Sequence, residues 1–140
     1  MQRILIIATD GFEQSELLEP KRLLEEAGAQ VSVASLKPGE IRGWDQKDWG
    51  QSVQVDCTIG DVSAGDYDAL LLPGGQMNPD VLRMDDEVID LVSAFAAGAG
   101  LVPEAYVARL PAGMVRPVPA LPTVRARALL ALAVGWLPLL

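Results

Sequence analysis

An α/β domain built on a mostly parallel sheet is predicted by three observations in the first 95 residues. Three short, largely apolar runs, Ile4-Leu5-Ile6-Ile7-Ala8, Val31-Ser32-Val33-Ala34 and Ala69-Leu70-Leu71-Leu72, have the composition of strands covered on both faces. Between the first two, Glu13 to Gly28 places Leu17, Leu18, Leu23, Leu24 and Ala27 at helical spacing. Strand, helix and strand then form a βαβ unit, whose crossover is almost always right-handed. The third run stops at Pro73-Gly74-Gly75, and Asp85 to Ala97 follows as a second helix with Val88, Leu91, Val92 and Phe95 on one face.

Local signals support each element. Thr9-Asp10-Gly11-Phe12 breaks the first run, and Gly28 suits a helix C-cap because glycine accepts a positive φ. Pro20 is expected to kink the first helix or to restart it as a first-turn residue. Lys37-Pro38-Gly39-Glu40 reads as a turn. From Ile41 to Val55 the chain carries Gly43, Trp44, Trp49, Gly50 and the alternating Val53-Gln54-Val55, which predicts a small antiparallel excursion. Its tryptophans suit packing of a surface hairpin better than a ligand pocket or a dimer contact. Asp85-Asp86-Glu87 could face a cation, but acids opening a helix are more simply capping and dipole complementation.

Composition narrows the function. The chain has 140 residues, enough for one domain, with a net charge of -8 and a pI near 4.4. Nucleic acid is therefore not an expected partner, since that affinity comes from clustered Lys and Arg. Cys57 is the single cysteine, so no internal disulfide forms. The apolar run after Met1-Gln2-Arg3 is too short for a signal peptide, and a cytoplasmic location is expected. No cofactor, metal ion or membrane partner is expected. Histidine is absent, which excludes a Ser-His or Cys-His pair within these residues and removes the usual general base near neutral pH.

After about Phe95 the chain changes character. Eighteen of the nineteen acidic residues precede this point, and six of the ten prolines follow it. In the last 45 residues, 40 are Ala, Leu, Val, Pro, Gly or Arg, the products of GC-rich codons read without selection for a fold. A frame change near Gly98 to Gly100 accounts for this better than a divergent tail. We divide the chain into an α/β domain over 1–95 and a tail over 96–140 that completes or decorates it. If the tail folds, Ala105 to Leu110 is a candidate strand and Thr123 to Leu137 a candidate helix capped by Thr123. The run from Ala128 to Leu140 is too short to span a bilayer.

Two motifs carry chemistry. Asp10-Gly11-Phe12-Glu13-Gln14-Ser15-Glu16 lies between the first strand and its helix, where an open α/β sheet binds ligands; alternatively these acids only complement the helix dipole. Leu71-Leu72-Pro73-Gly74-Gly75 lets backbone N–H groups approach a developing oxyanion, or is simply a tight turn needing positive φ.

Their order is informative. A strand, D-G-F-E-x-x-E, a helix, A-G-A-x-V, and then Y-D-A-L-L-L-P-G-G resembles the ThiJ/PfpI family of the class I glutamine amidotransferase-like superfamily. The similarity runs from Ile4 through Phe95 and includes Gly43-Trp44 and Val55-Asp56. It implies a flavodoxin-like three-layer sandwich, here with its C-terminal part truncated or altered, and a homodimer or larger assembly. It also implies a cysteine-dependent hydrolase acting on peptide or amide bonds, a glyoxalase or deglycase acting on small carbonyls, or a chaperone-like stress protein.

In that family a cysteine stands on a strained strand-to-helix turn after the Pro-Gly-Gly bend, and a glutamate from the first helix touches its sulfur. Glu16 matches that glutamate, and Gly74 and Gly75 match the oxyanion donors. The matching elbow, Gly100-Leu101-Val102-Pro103-Glu104-Ala105-Tyr106, contains no cysteine, serine or histidine, and Pro103 would deny a central strand a ladder bond. Cys57 lies far from this elbow in sequence and reads as a small packing residue. The expectation is a remnant site: Glu16 in a pocket beside Gly74 and Gly75, without a sulfur partner. Loss of a central strand would also expose sheet edges and lower solubility.

Overall fold

The computed structural model describes residues 1–97, 99–100, 116–117 and 127–131, with side chains through residue 95. Its centre is β1 (Arg3–Ile7), the first apolar run. β1 pairs in parallel with β3 (Gln30–Ser35) on one side and with β7 (Ala69–Leu72) on the other. Beyond β3 lies the short β6 (Cys57–Thr58), and beyond β7 lies β10 (Arg127–Ala131), giving the order β6-β3-β1-β7-β10-β8. β8 (Ala99–Gly100) pairs in parallel with β10, and β9 (Arg116–Pro117) pairs antiparallel to it.

Alternation along the strands builds two cores. Ile4, Ile6, Ala69 and Leu71 face one side, where Leu17 and Leu24 of α1 (Gln14–Glu26) cover them. Leu5, Ile7, Leu70 and Leu72 face the other, against Leu82 of α2 (Met77–Leu82) and Val88, Leu91, Val92 and Phe95 of α3 (Asp86–Ala97). The result is a three-layer α/β/α sandwich on a mostly parallel sheet, the flavodoxin-like arrangement. Each buried Leu or Ile adds about 1.5–3 kcal/mol of apolar transfer free energy to this sandwich.

α1 continues through Pro20 rather than restarting there, and Pro20 is buried. Proline there removes the donor that would pair with the Glu16 carbonyl one turn earlier, and its ring crowds that carbonyl. The helix ends as predicted at Gly28, whose φ is +92° and whose neighbour Ala29 donates back to the Leu24 carbonyl. The excursion is a second, smaller sheet. β4 (Glu40–Asp45) and β5 (Asp48–Gln54) pair antiparallel, and β2 (Phe12–Glu13) joins β4 in parallel. Trp44 and Trp49 are cross-strand partners with rings at 80° and centroids 5.5 Å apart, so they pack the hairpin on itself. Asp85 caps α3, accepting the Val88 N–H at 3.1 Å.

Two expectations for the tail are overturned. Within the candidate helix over Thr123 to Leu137, Arg127–Ala131 is extended and pairs with β7 residue by residue, Ala128 with Ala69 through Ala131 with Leu72. A short apolar run has no period that separates helix from strand, and the unpaired edge of β7 decides the matter. That edge is consequently covered by β10, not left open. Thr123, the candidate strand Ala105 to Leu110, and the elbow beyond Gly100 lie outside the described residues.

Candidate functional site

The direction of the connections marks the place. From β1 the chain crosses through α1 to β3 on one side, and later enters β7 on the other, so a crevice opens at the carboxyl ends of β1 and β7. Open α/β sheets bind ligands at such a switch point. The segments that reach it are Thr9 to Glu16, following β1, and Pro73-Gly74-Gly75, following β7.

Glu16, in the first turn of α1, turns its carboxylate across this crevice. Its Oε2 accepts the Gly74 N–H at 2.6 Å. Burial pushes the Glu16 carboxyl above the ordinary carboxylate value, the Gly74 hydrogen bond pulls it back, and the negative charge of Glu13 pushes it up again. The chemical consequence is a carboxyl that can hold its proton at higher pH than a surface glutamate. Glu16 is half-buried and lies beside Gly74. A cavity of about 360 Å³ opens nearby, lined in part by Thr9, Asp10, Ser35, Lys37 and Val81, and Glu16, Gly74 and Gly75 do not line it.

The two glycines divide the roles that the sequence left open. The Gly74 N–H, read as an oxyanion donor, is taken by the Glu16 carboxylate. Gly75 is a conformational requirement: its φ is +100°, and a Cβ there would stand 2.8 Å from both the Gly11 carbonyl oxygen and the Glu13 nitrogen. The Gly74 carbonyl in turn accepts the Glu13 N–H at 3.0 Å, so the bend is bonded to the start of α1.

The remaining motif residues serve the frame. Asp10 accepts the Arg42 N–H at 2.7 Å, and Gln14 accepts the Gln51 N–H at 2.6 Å, joining the small sheet to the crevice. Asn78, which the sequence analysis did not single out, is fully buried. It accepts the Thr9 N–H at 2.7 Å and donates to the Pro73 carbonyl at 2.8 Å, with a longer contact to the Gly74 carbonyl at 3.4 Å. The Asn78-Pro79 dipeptide close behind Gly75 is the one sequence signal that could have drawn attention to it.

Cys57 is elsewhere. It sits on β6, two strands from β1, and packs against the core on the sheet face opposite α1, as Leu36, Val62 and Tyr67 do. At about 4.8 Å per strand its backbone is about 10 Å across the sheet from β1. Burial raises its thiol pKa, a hydrogen bond with Tyr67 lowers it, and the charges of Asp56 and Asp61 raise it. Among the described residues no group of three or more acidic or cysteine side chains could hold a metal ion, and no helix is long and apolar enough to cross a membrane.

Residues 2–104 match the DJ-1/PfpI family. The chain belongs to that family. General stress protein 18 of Bacillus subtilis (strain 168) is 39% identical over 95 residues, 67% of this chain and 53% of that protein. Deglycase TK1284 of Thermococcus kodakarensis is 37% identical over 87 residues, 62% of this chain and 49% of its own. The chain thus spans about half the length of the curated relatives it matches. The solved structure of oxidized Toxoplasma gondii DJ-1 superposes with a TM-score of 0.63 over 94% of this chain and 82% of that one. At 18% identity that likeness speaks for the fold alone.

Proposed function

We propose that this DJ-1/PfpI family chain descends from a cysteine-dependent hydrolase or a glyoxalase or deglycase, keeps the Glu16, Gly74 and Gly75 side of that site, and lacks thiol chemistry. In the ancestral reaction a thiolate adds to a small carbonyl, whose oxygen takes up a proton to give a hemithioacetal, or attacks a peptide amide, whose C–N bond breaks as the amine takes a proton and leaves a thioester, beside a protonated glutamate. Glu16 suits the glutamate's part because burial raises its carboxyl pKa. The observation that carries the reading is the position of Cys57, the single cysteine, two strands from β1 and on the opposite sheet face from α1. A side chain cannot cross a packed sheet to reach Glu16.

The test is turnover of methylglyoxal and of a peptide amide by the full chain. Wild type and Cys57→Ala are expected to match the uncatalysed rate. Turnover that disappears in Cys57→Ala would overturn the reading, because Cys57 would then supply thiol chemistry, whereas turnover that survives Cys57→Ala and disappears in Glu16→Gln would show an enzyme operating without sulfur.

A second reading, a chaperone-like or partner-binding module acting in the cytoplasm as a homo-oligomer, draws on one observation. Met77, Val81 and Met84, around α2 just beyond the Pro-Gly-Gly bend, are 38%, 47% and 80% exposed. Suppression of client aggregation that falls when Met77 and Val81 are changed to Ser would favour this module.

A further inference from the structure

We propose that Asn78 is the positioning residue of this site, fixing the Pro73–Gly74 peptide plane so that the Gly74 N–H is aimed at the Glu16 carboxylate. The inference rests on the reading of Glu16 and Gly74 as the retained part of the site.

The Pro73 carbonyl and the Gly74 N–H belong to one planar peptide group, and no described peptide bond is cis. In a trans peptide the two point in opposite directions, so holding the carbonyl sets the direction of the N–H. Asn78 Nδ2 holds the carbonyl at 2.8 Å, and Glu16 Oε2 meets the N–H at 2.6 Å on the other edge. Hydrogen bonding at the carbonyl also polarises the peptide and strengthens its N–H as a donor.

Asn78 is itself fixed. Its Oδ1 must be the atom facing Thr9, which offers an N–H, and its Nδ2 must face Pro73 and Gly74, which offer carbonyls. Thr9 follows β1 and Pro73 follows β7, so one side chain bridges the two strand ends that form the crevice. No aliphatic residue can do this, and aspartate would turn a carboxylate oxygen toward two carbonyls. The side chain is fully buried, so water does not compete for these bonds.

The test uses NMR on the full chain and needs no substrate, so it stands or falls separately from the turnover assay. In wild type, the Asn78 side-chain amide protons and the Thr9 N–H are expected to exchange slowly with solvent, and the Gly74 amide shift is expected to titrate with the Glu16 carboxyl carbon. In Asn78→Leu the Gly74 shift should move, and the Glu16 midpoint should rise by about one pH unit as the bond to Gly74 loosens. Leu91→Ala, in the core on the sheet face opposite α1, should lose comparable stability with the Glu16 midpoint unmoved. An unmoved Glu16 midpoint and Gly74 shift in Asn78→Leu would overturn the proposal. If that variant does not fold, rapid exchange of the Asn78 amide protons in wild type overturns it equally.

Discussion

Glu16 and Cys57 are both part-buried ionisable groups, and burial is the largest influence raising each pKa, yet only Glu16 stands at the carboxyl ends of β1 and β7. Glu16 leaves the first turn of α1 at the carboxyl ends of β1 and β7 and meets a backbone amide. Cys57 sits on an outer strand, packed against the core of the other face and hydrogen-bonded to Tyr67. Strand and face, not residue type, decide which group belongs to the crevice. A sulfur at the wrong register of the sheet is a packing atom.

The largest effect should separate a glycine on each side of this comparison. Gly75→Ala puts a Cβ into a backbone with φ +100° and against two backbone atoms at 2.8 Å, neither of which is the end of a flexible side chain. A stability loss of about 3 kcal/mol is expected in urea unfolding. Gly60, near Cys57 in sequence, has among the described residues only the Glu87 carboxylate within reach of an added Cβ, at 3.6 Å, so Gly60→Ala should change stability by less than about 1 kcal/mol. Equal losses would show that the Glu16 side of the molecule is no more tightly built than the Cys57 side.

Next in size is the pH dependence of stability. Both folded-state pKa values are raised, so between the unfolded and folded values the native state binds the extra proton, and stability falls as pH rises. For Glu16 the fall begins near the ordinary glutamate value of about 4.3, and for Cys57 near the ordinary thiol value of about 8.5. Glu16→Gln should flatten the lower window alone, and Cys57→Ser the upper one alone. A change in both windows from either substitution would mean that the two groups communicate across the sheet.

Much of this frame could be read from the sequence, because the deciding forces are local there. Ile4 to Ala8 and Ala69 to Leu72 are too uniformly apolar to be anything but buried, and Gly28 and Gly75 announce positive φ. Glu16 could be singled out only by its match to the family's glutamate, since its place after the strand equally suited an acid complementing the helix dipole. What could not be read depends on distant partners. β2 and β6 are two residues long and carry no period. Arg127–Ala131 is a strand because β7 offers it an edge, and Asn78 matters because Thr9, 69 positions earlier, presents an N–H to it.

The smallest effect tests the Cys57 side directly. Cys57→Ala removes one half-buried sulfur from the α3 side of the sheet, where the thiol contributes a weak contact to the Val33 carbonyl at 4.0 Å and a bond with Tyr67. A small hydrophobe in that position should cost about 1 kcal/mol or less. Because Cys57 packs on the sheet face opposite α1, the Glu16 titration and the Gly74 amide shift should not move. The intact thiol should also react slowly with a disulfide reagent near neutral pH, since burial keeps the thiolate fraction low. Fast labelling would show that burial does not hold the thiol down, and a Glu16 midpoint that follows the loss of the sulfur would place the thiol within reach of the crevice and restore the sulfur chemistry that this arrangement of strands argues against.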